Sequence, residues 1–287
     1  MEHYTIMMEK SNYAIQTKKY SNNNYFCNMY SNNYDNNKKY YGKNKSGKQT
    51  NIKNRVIFLK KTIFPAISED KIQSLMIDNE SIKYITFPTN ADEITDIIMN
   101  NLIDFPCIES ENQLEWDAMS LDMKMSKLVI TDITAGVGGN VFSFAKKFKH
   151  VNAIEINTLR YNYLLKNISL YDYVNVSCYN NDSIKLLESD DLTQNIIFFD
   201  PPWGGKNYKF YSNLRLRFGE HAMENICTLL FQKQQIKIIV LKLPNNYDFQ
   251  FMSSELKNYK IIKYTMEKMT IIVLKNYPIT IAIDSDT

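Results

Sequence analysis

The residues in this chain whose types and spacing point most directly at chemistry are Asp200-Pro201-Pro202-Trp203-Gly204-Gly205. They follow Asn195 to Phe199, an apolar run that reads as a buried strand. A carboxylate, two prolines and an aromatic ring at the end of such a strand make a rigid turn. That turn aims the Asp200 carboxylate and backbone carbonyls at one spot and lays a flat ring beside it. The exocyclic amine of a nucleobase, if it is to be methylated, needs such a setting: acceptors for its protons and a platform for its ring. The plainer alternative for Trp203 is a core aromatic plugging the turn, but the glycines behind it favour an open approach.

A second constellation lies upstream. Asp132-Ile-Thr-Ala-Gly136-Val-Gly138-Gly139-Asn140 leaves one expected strand and enters a helix, and its glycines allow the backbone to approach a ligand closely. Glu155 follows Gly136 by nineteen residues, at the end of the next expected strand, where an acidic side chain accepts hydrogen bonds from the ribose hydroxyls of an adenosine cofactor. Two features favour S-adenosylmethionine over a dinucleotide. The glycines read GxGG rather than GxGxxG, and Asp132 is placed to face the cofactor's ammonium. Asp182, at the close of a third strand, is suited either to accept the adenine amine or to cap the helix from Ser183 onward. Gly136, Gly138, Asn140, Asp132, Glu155 and Asp182 are therefore the candidate cofactor residues. The DPPW motif comes after the glycine loop, the order of guanine-N2 and many other amino-methyltransferases; the mRNA adenine-N6 enzymes have the reverse.

Alternating strands and helices must hold these motifs. Strands are expected at Lys127–Asp132, Val151–Ile156, Val174–Tyr179, Asn195–Asp200 and Ile236–Leu241, with helices at Gly139–Phe148, Thr158–Leu170, Ser183–Leu187 and His221–Phe231. Two last strands, Lys260–Tyr264 and Thr270–Leu274, read as a hairpin-like pair. The fold class is thus α/β: a Rossmann-like, mainly parallel seven-stranded sheet with an antiparallel edge pair and helices on both faces. Residues 55–121, with helices at Thr89–Leu102 and 111–120, form a small helical lead-in, and 122–287 the catalytic domain. Residues 1–54, rich in Asn, Tyr, Lys and Ser, show no period and are expected to be disordered. They carry nine lysines against Glu2, Glu9 and Asp35, while the rest of the chain has a slight acidic excess.

Composition narrows the classes further. An apolar fraction of 44% and a charged fraction of 23% over 287 residues are those of a globular protein with a full core. The longest apolar stretches, such as Ile236 to Leu243 with its lysines, fall short of a bilayer span, and no secretory signal opens the chain. A soluble intracellular protein, nuclear or cytoplasmic, without a membrane partner and monomeric, is expected. Cys27, Cys107, Cys178 and Cys227 have no metal-ligand spacing, and His3, His150 and His221 are dispersed, so no metal site is expected.

The combination of GVGGN at 136–140, Glu155 at a strand end and DPPWGG at 200–205 resembles the trimethylguanosine synthase family, which are cap-specific guanine-N2 RNA methyltransferases. The resemblance spans roughly Phe87 to Leu274, and the skewed composition would suit a large DNA virus or an AT-rich protist. It implies S-adenosylmethionine as cofactor and a 7-methylguanosine-capped RNA, or a cap dinucleotide, as substrate. Phe87-Pro88-Thr89 looks like the family's lead-in, where a threonine opens a helix beside the cofactor, and Tyr208 keeps the family's aromatic after the motif. On this resemblance Asp200 and the Pro201 carbonyl hold the amine, Trp203 stacks on the cationic base, and Lys206, Tyr208, Arg215 and Arg217 lie toward the cap phosphates, with Lys60, Lys61 and Lys209 as further cations. The chain departs from the family's usual pattern at Lys206, Ser183 and Ala135. The competing expectations are a guanine-N2 or adenine-N6 enzyme acting on structured RNA or DNA, and an inactive RNA-binding relative.

Overall fold

The structure, a computed structural model, describes residues 56–189 and 191–277; the expected disordered tail lies outside them. Seven strands form one sheet: β1 (Val129–Asp132), β2 (His150–Ile154), β3 (Val176–Tyr179), β4 (Ile196–Phe199), β5 (Ile238–Leu243), β6 (Lys260–Thr265) and β7 (Thr270–Lys275). Their order is β3-β2-β1-β4-β5-β7-β6. The first five are parallel, and β7 runs antiparallel to both β5 and β6. The final pair thus lies at the sheet's edge, but the last strand is inserted inside and β6 forms the rim. Burial explains this order. Every residue of β7 is buried, whereas β6 (KIIKYT) carries exposed Lys260, Lys263 and Thr265, as an edge strand must.

The central strands are apolar on both faces because helices cover both. Ile130, Ile196, Phe198, Ile238 and Val240 face one core, under the helices Val141–Ala145 and Thr158–Leu170 and the lead-in helix Pro88–Asn100. Ile197, Phe199, Ile239, Leu241 and Leu243 face the other, under Ser183–Glu188, Met223–Phe231 and Phe249–Glu255. The Phe249–Glu255 helix and a small hairpin pairing Arg217–Phe218 with His221–Ala222 were not expected from the sequence, and the helix after that hairpin begins at Met223 rather than His221.

The lead-in is one wall of the same structure. Ile94, Ile98, Leu102 and the fully buried Trp116, whose Nε1 donates to the Phe105 carbonyl at 2.8 Å, share the first core with the sheet. Arg160 donates to Asp78 and Glu80, and Asn167 exchanges hydrogen bonds with the Met76 backbone at 2.7 and 2.9 Å. Backbones pack tightly at Gly139. A Cβ there would lie 3.0 Å from both Ile85 Cγ1 and the Thr86 nitrogen. Gly139→Ala is accordingly expected to destabilise the fold by about 1–3 kcal/mol, read as a lowered midpoint in thermal unfolding; an unchanged midpoint would contradict this packing. Among the described residues no helix is long and apolar enough to cross a membrane.

Candidate active site

The ends of β1, β2 and β4 come together because they are neighbours in a parallel sheet, and ligands of such sheets bind beyond those ends. After β1 the chain turns through Gly136 with φ of +56°, a conformation that favours glycine, and the space a side chain would enter is open. The Gly136 nitrogen donates to Glu155 Oε2 at 2.9 Å, and the Asn157 nitrogen donates to Oε1 at 2.7 Å. These two bonds fix the carboxylate at the rim of the loop, and burial raises its pKa above the usual range.

Asp132 closes β1 and is fully buried. Its Oδ1 accepts from the Thr134 nitrogen at 3.0 Å, and its Oδ2 has no hydrogen-bond partner. Burial, reinforced by the charges of Asp200 and Glu155, pushes its pKa up to about 7. Asn140, also buried, has an unpartnered Oδ1. Unsatisfied buried acceptors of this kind call for a donor. An ammonium group supplies one, so the loop fits the amino-acid end of S-adenosylmethionine, with Glu155 suited to its ribose. Asp182 caps the Ser183–Glu188 helix, accepting from the Ile184 nitrogen at 3.0 Å, so the capping alternative is the one visible here. Thr89 is exposed in the first turn of the Pro88–Asn100 helix; the buried threonine nearby is Thr86.

The DPPW turn is joined directly to the glycine loop. The Asp200 nitrogen donates to Thr134 Oγ1 at 2.9 Å. Asp200 Oδ2 accepts from Lys242 Nζ at 2.5 Å, and among the described residues nothing hydrogen-bonds to Oδ1. The Asp200 side chain is 18% exposed. Pro201 is buried. The Trp203 indole is half-buried, donates through Nε1 to the Lys242 carbonyl at 3.2 Å, and meets the edge of Tyr208 at a centroid distance of 5.3 Å. The ring also packs against both hydrophobic cores, while part of it stays accessible.

The expected phosphate cations are dispersed. Lys206 and Lys209 are exposed on the short 3₁₀ helix Gly205–Phe210, with the Lys209 ammonium 5.8 Å from the Tyr208 ring. Arg215 donates to Asp248 Oδ2 at 3.0 Å and stacks 3.7 Å from the Phe251 ring, so it is engaged in structure. Arg217 donates to the Glu220 carbonyl, Lys60 to the Gln73 carbonyl and Lys61 to Glu69. Lys242, Thr86 and Thr134 are the site residues that motif reasoning missed. A lysine inside an otherwise apolar strand was the available signal. Among the described residues no group of three or more His, Cys, Asp or Glu could hold a metal ion.

A family model described as RNA cap guanine-N2 methyltransferase matches residues 127–280. An uncharacterized protein of Acanthamoeba polyphaga mimivirus is 55% identical over 236 residues, 82% of this chain and 91% of that protein. Among solved structures, precorrin-6y C5,15-methyltransferase from Geobacter metallireducens is 15% identical with a TM-score of 0.45, covering 74% of this chain and all of its own (100%). TrmK of M. capricolum, solved with S-adenosylhomocysteine, is 11% identical with a TM-score of 0.38, covering 55% of this chain and 66% of its own.

Proposed function

The chain belongs to the RNA cap guanine-N2 methyltransferase family, and from that premise we propose that it methylates the exocyclic N2 amine of 7-methylguanosine RNA caps. The observation that carries this reading is the bond from the Asp200 nitrogen to Thr134 Oγ1, which ties the turn suited to an amine to the loop suited to the methyl donor. The products are 2,7-dimethylguanosine caps and, with a second transfer, 2,2,7-trimethylguanosine caps. The partner is capped RNA or a cap dinucleotide, bound by a monomer.

S-adenosylmethionine would be held by Asp132, Gly136, Gly138, Asn140 and Glu155, with Asp182 and Thr89 expected at the adenosine side, and would supply an activated methyl group whose bond to sulfur breaks as the bond to nitrogen forms. The protein's own residues then have a positioning task. The N2 lone pair of guanine is delocalised into the ring, so the amine must be turned for its lone pair to point at the methyl. Asp200 Oδ1 and the Pro201 carbonyl accept its two N–H groups and hold that orientation. As the new bond forms, positive charge builds on nitrogen and the Asp200 carboxylate stabilises it. The proton released goes to Asp200 or water, so no strong base is needed. Trp203 carries the base, and a 7-methylated ring is a cation over an indole, a contact of about 1–2 kcal/mol when desolvated. Lys206 and Tyr208 follow the motif on the phosphate side; for Arg215 and Arg217 to join them, their guanidiniums would have to be shared with Asp248 and the Glu220 carbonyl.

Asp132 makes cofactor binding sensitive to pH. With its carboxyl at about 7, against an ordinary 3.8, it is largely protonated in the free protein at pH 6. The folded value is raised, so its contribution to the stability of the free protein is present at low pH and lost as pH rises from about 4 through 7. Only the ionised form attracts an ammonium. S-adenosylmethionine affinity should therefore rise by up to about tenfold per unit between pH 5.5 and 7, measured by calorimetry, and Asp132→Asn should bind more weakly with that rise abolished. An unchanged rise in the variant would contradict the assignment.

The experiment for the function is transfer of labelled methyl from S-adenosylmethionine to 7-methyl-GTP and to GTP. Label on 7-methyl-GTP with little on GTP is expected, and mass analysis of the product counts the methyl groups added. Equal transfer to both, or none to either, removes the cap assignment.

A further inference from the structure

Lys242 stands in the site without a part in the reaction just described. In the parallel register Phe199 of β4 pairs with Leu241 of β5, so Asp200, the residue after β4, comes beside Lys242, which is still within β5. Lys242 is 5% exposed. Its ammonium donates to Asp200 Oδ2 at 2.5 Å and to Thr86 Oγ1 at 2.9 Å, and lies 5.6 Å from the centre of the Trp203 ring. Its backbone carbonyl accepts from Trp203 Nε1 at 3.2 Å. One residue thus touches both halves of the substrate platform, and the lead-in as well. Stability is a weak reason for it. A buried ion pair is often no better than apolar residues of similar volume, and the rest of β5 is apolar.

We propose that Lys242 is a positioning residue for methyl transfer: it keeps the Asp200 carboxylate ionised and oriented, so that Oδ1 accepts from the substrate amine while the Lys242 carbonyl fixes the Trp203 indole. The assignment rests on the functional reading above. No bond to the lysine forms or breaks, and it passes no proton.

The physical need follows from the surroundings. Burial drives the Asp200 carboxyl above the usual range, and the charge and hydrogen bond of Lys242 oppose that rise in part. Asp132, at the end of the adjacent strand β1, is the acidic group facing the pair, and Tyr208 faces Trp203. Without Lys242 the aspartate is left buried with no cation beside it, which favours the protonated acid. A protonated carboxyl has an O–H of its own to donate and is a poorer acceptor for the amine. Thr86, brought in by the lead-in backbone that packs on Gly139, steadies the ammonium from the opposite chain segment.

The test is the pH profile of Lys242→Met with saturating S-adenosylmethionine and 7-methyl-GTP between pH 5.5 and 8.5. The wild-type kcat should depend on pH less steeply than the variant's. The variant's kcat should be lower by about 30- to 100-fold at pH 7 and should climb with pH by up to about tenfold per unit, with the cofactor dissociation constant moved less than about threefold. A kcat reduced by the same factor at every pH, or not reduced, overturns the proposal. Carboxyl-carbon NMR of aspartate-labelled protein, with the Asp200 signal assigned through Asp200→Asn, gives a second readout that needs no substrate. The Asp200 signal should titrate at a higher pH in the variant than in the wild type; identical behaviour in both overturns the proposal. If the wild type fails to methylate 7-methyl-GTP, the functional reading falls and the NMR titration still decides the role of Lys242. Lys242→Gln, which keeps a donor without the charge, replaces the methionine variant if that protein does not fold, with the same two outcomes.

Discussion

Asp200→Asn is expected to lower methyl transfer to 7-methyl-GTP by about 10²- to 10³-fold, with S-adenosylmethionine affinity held within about threefold. The substitution keeps the shape of the side chain and an oxygen for Lys242, but it removes the negative charge that meets positive charge building on the amine. Asn also brings N–H groups to a place where the substrate needs acceptors. Asp200→Ala should be equally inactive and less stable as well. It leaves the buried Lys242 ammonium with Thr86 as its remaining side-chain hydrogen-bond partner, and breaking one side of a buried ion pair costs about 3–5 kcal/mol. Comparing the two variants in transfer assays and thermal unfolding separates chemistry from folding. An asparagine enzyme with wild-type kcat would contradict the role given to Asp200.

Trp203→Ala should act on binding rather than on the chemical step. Loss of the stacking face, about 1–3 kcal/mol per base, together with the cation–π contribution, should raise KM for 7-methyl-GTP by at least about thirtyfold. Because the cationic part of that contact is what distinguishes the methylated base, the preference for 7-methyl-GTP over GTP should shrink by about five- to thirty-fold. Among the described residues the indole Nε1 bonds to the Lys242 carbonyl and to nothing in the glycine loop, so cofactor affinity should be unchanged in the variant. Unaltered KM in steady-state assays would show that the base lies elsewhere.

The fold was largely legible because its signals are local. Apolar runs bounded by glycine, proline and acidic residues marked each parallel strand, and the Thr158–Leu170 helix has the bounds expected of it. Glu155 and Gly136 could be paired from sequence because their spacing reflects a single strand–helix–strand unit, and a 2.9 Å bond joins them. What escaped depends on contacts between distant segments. Lys242 falls just past the expected strand end at Leu241; the strand runs on to Leu243, and its neighbour in the sheet delivers Asp200, 42 residues away. Thr86 is brought to the same ammonium across 156 residues, while Thr89, favoured by motif position, lies exposed. Arg215 drew attention by being an arginine in an arginine-poor chain, yet Asp248 and Phe251 account for its geometry through a helix the sequence did not announce. The insertion of β7 between β5 and β6 likewise follows from burial of whole strands, which no single segment reveals.

Diffraction from crystals grown with S-adenosylhomocysteine and 7-methyl-GTP tests the shared cleft most directly. The guanine should lie parallel to the Trp203 indole with its exocyclic amine within hydrogen-bond distance of Asp200 Oδ1 and the Pro201 carbonyl, and the cofactor product should lie over Gly136 with its ribose on Glu155. A base bound away from Trp203, or a cofactor bound away from Gly136 and Glu155, would contradict the account.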